Sequence, residues 1–255
     1  MRTVIVFLFL FIPVFCFSFE IDPYQNQKAD NPCLKLVFLP INYSSKADLA
    51  RDLGEIAARL KKILPFSEFT DKINFYQVGI SLEEEKLLVK ETQDFPPLVI
   101  HRDLLRNIED SLKSLYKLVI IDAKGGVSCA ELSEISKVSL IILGRSRYGS
   151  VDSFTKGLLH ELGHSLGLRD EGLNSEAALC LPGPPNCAAT KEEATNWWGD
   201  LVGRVSRVHY IHGCCGNKNY IRPTIASLMN DPDKAEDFGP VNERYLRQVL
   251  INIGR

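Results

Sequence analysis

The sequence lacks most of the features that betray a partner on sight. No lysine or arginine run interrupts its 30 basic and 32 acidic residues, and the formal net charge is −2. Without clustered positive charge, nucleic acid is excluded as an expected partner. No stretch repeats itself. No apolar run reaches the ~20 residues that a bilayer-spanning helix needs. None of the 7 cysteines forms a CxxC pair, so a cysteine-rich zinc site has no support. Methionine falls to 2 and histidine to 5, so each one's placement carries more information than usual. What remains is ordinary for a soluble globular protein: 255 residues, 45% hydrophobic and 24% charged. That length suffices for one large domain with a real core.

The longest apolar run, Val4 to Phe17, stands at the start behind Arg2. It is short for a bilayer-spanning helix, which needs about 20 residues; an uncleaved anchor and a buried N-terminal element are the alternatives to the reading that follows. Cys16 and Ser18 are small residues at the −3 and −1 positions of a cut after Ser18. Residues 1–18 therefore read as a secretory signal peptide, and the membrane is met only through that segment during export. With Cys16 removed, six cysteines are left: Cys33, Cys129, Cys180, Cys187, Cys214 and Cys215. An even count in an exported, extracytoplasmic chain suggests disulfides. Cys214 and Cys215 are neighbours and would be strained if bonded to each other, so each is expected to reach elsewhere, with Cys180 and Cys187 as candidate partners.

Residues 19–32 are polar and read as a loose leader. LKLVFLPINYS (Leu34–Ser44), INFYQVGI (Ile73–Ile80), SLYKLVIIDA (Ser114–Ala123) and KVSLIILGRSRYG (Lys137–Gly149) read as strands. Between the first two, Leu49, Leu53, Ile56, Ala57, Leu60 and Leu64 recur at spacings of three and four, which predicts an amphipathic helix over Lys46–Leu64. Pro65 ends it. LEEEKLLVKE reads as a solvated helical turn or loop. A stretch rich in Cys, Gly and Pro then shows little periodicity, before PVNERYLRQVLINI (Pro240–Ile253) closes the chain as an amphipathic helix.

The chemistry concentrates in HELGHSLGLRDE, His160 to Glu171. Leu158, Leu159, Leu162 and Leu166 give the surrounding segment an apolar helical side, with Asp152 or Ser153 as its cap. On a helix, residues four apart lie one above the other, so His160 and His164 can share one ion, and paired imidazoles suit Zn²⁺. Glu161 lies about 100° around the helix. It is poorly placed as a ligand but well placed as a general base beside a zinc-activated water. Asp170 would lie about 9 Å further along a continued helix, too far to join. Gly167 is where the chain can turn back, because glycine adopts positive φ without penalty. With Asp170 as third ligand the site would carry a charge near +1.

HELGHSLGLRD fits HExxHxxGxxH/D with Asp last, and so resembles the long zinc motif of the metzincin metallopeptidases. The resemblance implies an α+β, zincin-type fold. An N-terminal lobe would hold a mixed twisted sheet and long helices, the motif helix among them. An irregular C-terminal lobe would hold a methionine turn and the terminal helix. Met229, in IASLMND, is implied as that methionine. The whole of 33–255 would be one catalytic domain of two lobes, a monomer acting on a peptide or protein substrate. More narrowly, LKLVFLPINYS, HELGHSLGLRDE, YIRPTIASLMND and FGPVNERYL are similar to stretches of the secreted IgA-peptidase-like zinc peptidases. Those have one more residue between the second His and the Asp, and a Tyr where Gly172 stands. The choice between Asp170 and Glu171 as third ligand therefore stays open at this point.

Weaker candidates surround this core. LIILGRSRYG is expected as the sheet's edge strand, able to bind an extended peptide through its backbone. Trp197 and Trp198 could line a pocket, although packing is the better reading. Tyr210, Tyr220, His209 and His212 are candidates to stabilise an oxyanion. Cys33 could cap the zinc in a latent form, but no cysteine-switch sequence surrounds it. Two other functions fit the motif: a catalytically silent zincin used as a binding module, and a zinc hydrolase of a non-protein amide. A purely structural site has no use for Glu161, which argues against the first.

Overall fold

The computed structural model describes residues 20–24, 32, 34–91, 98–112, 116–130, 138–173 and 180–253. The expected signal segment, most of the leader, and both Cys16 and Cys33 lie outside them. The first half runs β1 (Glu20–Pro23), β2 (Leu34–Ile41), α1 (Lys46–Leu60), β3 (Ile73–Gly79), α2 (Leu82–Leu88), β4 (Val89–Glu91), β5 (Leu98–Ile100), α3 (Arg102–Leu112), β6 (Tyr116–Asp122), β7 (Ser128–Ala130), β8 (Val138–Gly144) and α4 (Val151–Ser165). The second half holds α5 (Lys191–Trp198), β9 (Ile211–Cys214), β10 (Asn217–Arg222) and α6 (Pro240–Ile253). Among the described residues, no helix is long and apolar enough to cross a membrane.

The architecture is α+β around a mixed sheet of order β1-β3-β2-β6-β8-β7. Its centre is parallel: β2 pairs with β3 and β6, and β6 with β8. Parallel strands are covered on both faces and so are apolar almost throughout. Leu36, Phe38, Val119 and Ile121 face α1, α4 and α6 in one core, while Val37, Leu39, Leu118 and Ile120 face α3 in another. Ser45 caps α1 by accepting from Ala47 N at 3.1 Å, and the predicted apolar stripe is the buried one. The helix stops at Leu60 rather than Leu64. Leu64 is 42% exposed, so no burial holds it helical, and the residue before a proline is biased away from helix.

Three expectations change. Glu20–Pro23, placed in the loose leader by its polarity, is a strand paired antiparallel with β3. Such an edge strand needs only backbone partners. Of the two readings of LEEEKLLVKE, the helical one holds: Ser81 and Glu84 form a capping box that starts α2, and β4 follows. LIILGRSRYG is not the edge strand. After Asp122 the chain turns at Gly125 and returns as β7, which pairs antiparallel with Ile141–Leu143 of β8 and takes the edge itself. At Gly125 a side chain would fall 2.5 Å from the Asp122 carboxylate and would have to displace it. The stretch of little periodicity contains α5, started by a Thr190–Glu193 capping box.

Beyond α4, short elements are stapled rather than packed as long ones. Trp198 is fully buried with Ala188, Ala194, Val208, Ile221 and Val241, and its indole N–H donates to His209 O at 3.1 Å. Cys180 bonds Cys215 and Cys187 bonds Cys214, with Cα–Cα distances of 5.1 and 5.9 Å. The adjacent cysteines thus face two partners in one loop. Each bridge closes a loop of some thirty residues, where a disulfide contributes about 2–4 kcal/mol. Replacing Cys187 and Cys214 together by alanine is expected to lower unfolding stability in urea by about 2–5 kcal/mol. An unchanged midpoint in the variant would show that the bridge braces nothing.

Candidate metal centre

Helix α4 crosses the middle of the molecule, so Phe154, Leu158, Leu159 and Leu162 are all fully buried. Its cap is Ser150, whose hydroxyl accepts from Ser153 N at 3.1 Å, rather than Asp152 or Ser153. Two glycines stand inside it, each costing about 1 kcal/mol against alanine. Close approach explains both. A Cβ on Gly157 would lie 2.2 Å from the Tyr148 hydroxyl, and one on Gly163 would lie 2.5 Å from the Met229 sulfur. Met229, itself fully buried, therefore packs directly against the helix turn between the two histidines.

The helix ends as the sequence suggested. Gly167 takes φ 102°, Leu168 N donates to Gly163 O at 2.9 Å and Gly167 N donates to His164 O at 2.9 Å, a Schellman stop. The reversal brings Asp170 back over the histidines. Its Oδ1 lies 3.4 Å from His160 Nε2 and 3.4 Å from His164 Nε2, while the two Nε2 atoms stand 3.1 Å apart. The ring nitrogens on the far side are committed: His160 Nδ1 meets Leu228 O at 2.8 Å and His164 Nδ1 meets Leu168 O at 2.9 Å. A carbonyl only accepts, so each Nδ1 is the donor and each Nε2 of a neutral ring presents a lone pair. Three acceptor atoms thus converge. Donors on one tetrahedral ion at ~2.0–2.2 Å stand roughly 3.3–3.6 Å apart, which the observed spacings match closely. Residues His160, His164 and Asp170 can hold a metal ion.

Charge in the cluster is shared. Burial, then the neighbouring His164, holds His160 down to about 4, so its ring is neutral. Burial also opposes charge on His164, but the hydrogen bond and charge of Asp170 outweigh it and raise that group to about 9. Glu161 is 7% exposed, and burial pushes its carboxyl up to about 7. Among the described residues nothing hydrogen-bonds to that carboxylate. It stands beside the cluster, within electrostatic reach of His164 and Asp170.

Asp170 lies with the histidines, whereas Glu171 has other partners. That residue is fully buried and points away from the histidines. Asn186 Nδ2 at 3.0 Å and Asn242 Nδ2 at 2.8 Å donate to its Oε1, and Ser227 Oγ at 2.6 Å and Thr224 Oγ1 at 3.3 Å donate to its Oε2. Its N–H donates to Met229 O at 2.8 Å. Asn186 further brackets Arg169 from both sides, and Cys215 N donates to Asp170 O at 3.0 Å. Asp170 is aimed by a backbone pinned on every side.

The other candidates are placed elsewhere. Tyr210 bonds Thr195 at 3.1 Å and packs on Trp198, and Tyr220 packs on the paired cysteines. His209 and His212 are exposed, and Trp197 is half-buried in the α5 core. The tyrosine beside Glu161 is Tyr148 instead. Its hydroxyl donates to Ser128 Oγ on β7 at 3.0 Å and rests on Gly157, one helical turn before Glu161. The signal for it was the interior glycine. Cys129, also on β7, is a free thiol pushed up to about 12 by burial and by the Glu161 charge.

No family model matches the sequence, and no curated protein does. Among solved structures, archaemetzincin from Methanopyrus kandleri is similar over 54% of this chain and 75% of that one, at 13% identity and a TM-score of 0.30. A likeness at that level carries no argument, and the site rests on its own residues.

Glu171→Ala would strand four buried donors. It is expected to lower stability by about 3 kcal/mol or more, read from urea unfolding. A loss below about 0.5 kcal/mol, the range of ordinary surface changes, would contradict the network described here.

Proposed function

We propose that this protein is an exported, zinc-dependent endopeptidase of the metzincin type. The observation that carries the reading is the convergence of three potential metal-donor atoms, His160 Nε2, His164 Nε2 and Asp170 Oδ1, at 3.1–3.4 Å from one another. Such a set repels itself unless a proton or a cation sits between. Two imidazoles and one carboxylate are a zinc donor set, and three protein ligands leave one position open, as in catalytic rather than structural sites. When bound, zinc supplies the Lewis acidity that polarises a scissile carbonyl and brings the pKa of a water towards ~7.

The chain's own residues do the rest. Glu161, raised to about 7 by burial, is poised to take a proton at neutral pH and return it to the leaving amine. Leu228 O and Leu168 O fix each imidazole's tautomer and aim, as second partners of metal-binding histidines do. Met229 is read as the methionine of a turn that supports the helix from below. The edge strand β7 offers backbone groups to an extended peptide, in place of the β8 segment first expected. The two disulfides fit an oxidising compartment. No particular protein substrate is assigned, and the finer resemblance to IgA-peptidase-like enzymes rests on the sequence stretches alone.

Glu161→Gln is expected to bind one zinc per chain and to keep its fold while losing about 10²–10⁴-fold in peptide turnover. Near-normal turnover in that variant would overturn the mechanism. Asp170→Ala is expected to lose most of its zinc affinity, measured by competition with a chromogenic chelator. Full zinc retention there would remove Asp170 from the site.

A further inference from the structure

We propose that Arg147 recognises a carboxylate of the substrate, either an acidic side chain near the scissile bond or a free C-terminus. The proposal rests on the peptidase reading. The segment Arg145–Tyr148 joins β8 to α4 and is anchored at every residue but one. Arg145 Nε donates to the buried Asp52 Oδ2 at 3.1 Å, and its guanidinium lies 4.9 Å from the centre of the Phe154 ring. Ser146 Oγ donates to Lys124 O at 2.9 Å and Gly125 O at 2.6 Å. Tyr148 is seated between Ser128 of the edge strand and Gly157 of α4. Arg147, between these anchors, is exposed, and among the described residues it forms no hydrogen bond or ion pair.

Its place is therefore rigid while its side chain is free. The backbone holds it between the strand that would carry the peptide and the helix that carries the base. Its charge is felt at His160, Glu161 and Tyr148. The acidic groups near this rim are Glu161 and Asp170 in the cluster, and Asp233, whose charge also reaches Tyr148. None of them pairs with Arg147. A planar guanidinium with open donors suits bidentate capture of a carboxylate, a shape lysine cannot reproduce. Peptide filling the cleft would exclude water and strengthen the contact.

The test separates this proposal from the peptidase reading by measuring binding without turnover. Zinc-loaded Glu161→Gln protein, alone and combined with Arg147→Ala or Arg147→Glu, is equilibrated with a pooled peptide library, and bound members are quantified by mass spectrometry. The library pairs each Asp or Glu peptide with its Asn or Gln counterpart, and each free C-terminus with its amide. The expected result is about tenfold enrichment of acidic over amide members, as for a charge-assisted hydrogen-bonded pair. Arg147→Ala should lose the enrichment, and Arg147→Glu should reverse it. Enrichment confined to Asp and Glu members assigns a side chain; enrichment confined to free C-termini assigns the terminus. Equal binding of acid and amide members, or a preference that survives Arg147→Ala, overturns the proposal. Failure of the wild-type chain to cleave any bound peptide would instead overturn the peptidase reading.

Discussion

A carboxylate with no exposed surface is stable only when donors surround it, and at Glu171 four side chains do so. They come from four places: Asn186 from the disulfide-bonded loop, Thr224 from just after β10, Ser227 from the turn before Met229, and Asn242 from α6. Arg222 closes the arrangement by donating to the Glu171 carbonyl at 2.7 Å. Segments with little apolar surface of their own are thereby drawn to one point. The neighbouring residue is Asp170, so the interaction that organises the second half of the protein also sets the third corner of the His160–His164–Asp170 cluster. The two oxygens of Glu171 are bound in the interior, while Asp170 Oδ1 faces the two imidazoles.

The sheet-bearing half contributes to the same site by different means. Three glycines mark where the helix meets its surroundings. Gly157 lets the Tyr148 ring settle on α4, Gly163 lets the Met229 sulfur in beneath the histidines, and Gly167 turns the chain back. Around them the packing is apolar and dense, with Phe154, Leu158 and Leu162 wholly buried. The histidines are therefore held from the sheet side by close packing, and Asp170 from the other side by hydrogen bonds.

What could be read from the sequence was what neighbouring residues decide among themselves. The four apolar strands, α1, the motif helix, the stop at Gly167 and α6 all follow from local periodicity or from a special backbone need. The convergence of His160 and His164 follows from the helical repeat alone. Asp170 and Glu171 could not be told apart that way, because two adjacent carboxylates are chemically alike. Partners 53 to 71 residues away distinguish them. Strand β1 escaped because an edge strand needs no apolar pattern. Strand β7 escaped because it is three residues long and is defined by the turn at Gly125. The Thr190–Glu193 capping box of α5 was present in the sequence, but the prolines and cysteines around it concealed a helix of eight residues. Tyr148 could be inferred only from the otherwise costly glycine at 157.

The long reach of these contacts has a temporal side. The ribosome delivers His160, His164 and Asp170 close together, yet the carbonyl that orients His160 belongs to Leu228, 68 residues later. The amide of Asn242 arrives 71 residues after the carboxylate it steadies. Through that interval the nascent chain carries a histidine pair whose outer frame does not yet exist. The cluster reaches its described geometry only when the start of the last helix has emerged, so the arrangement belongs to the completed fold rather than to the motif alone.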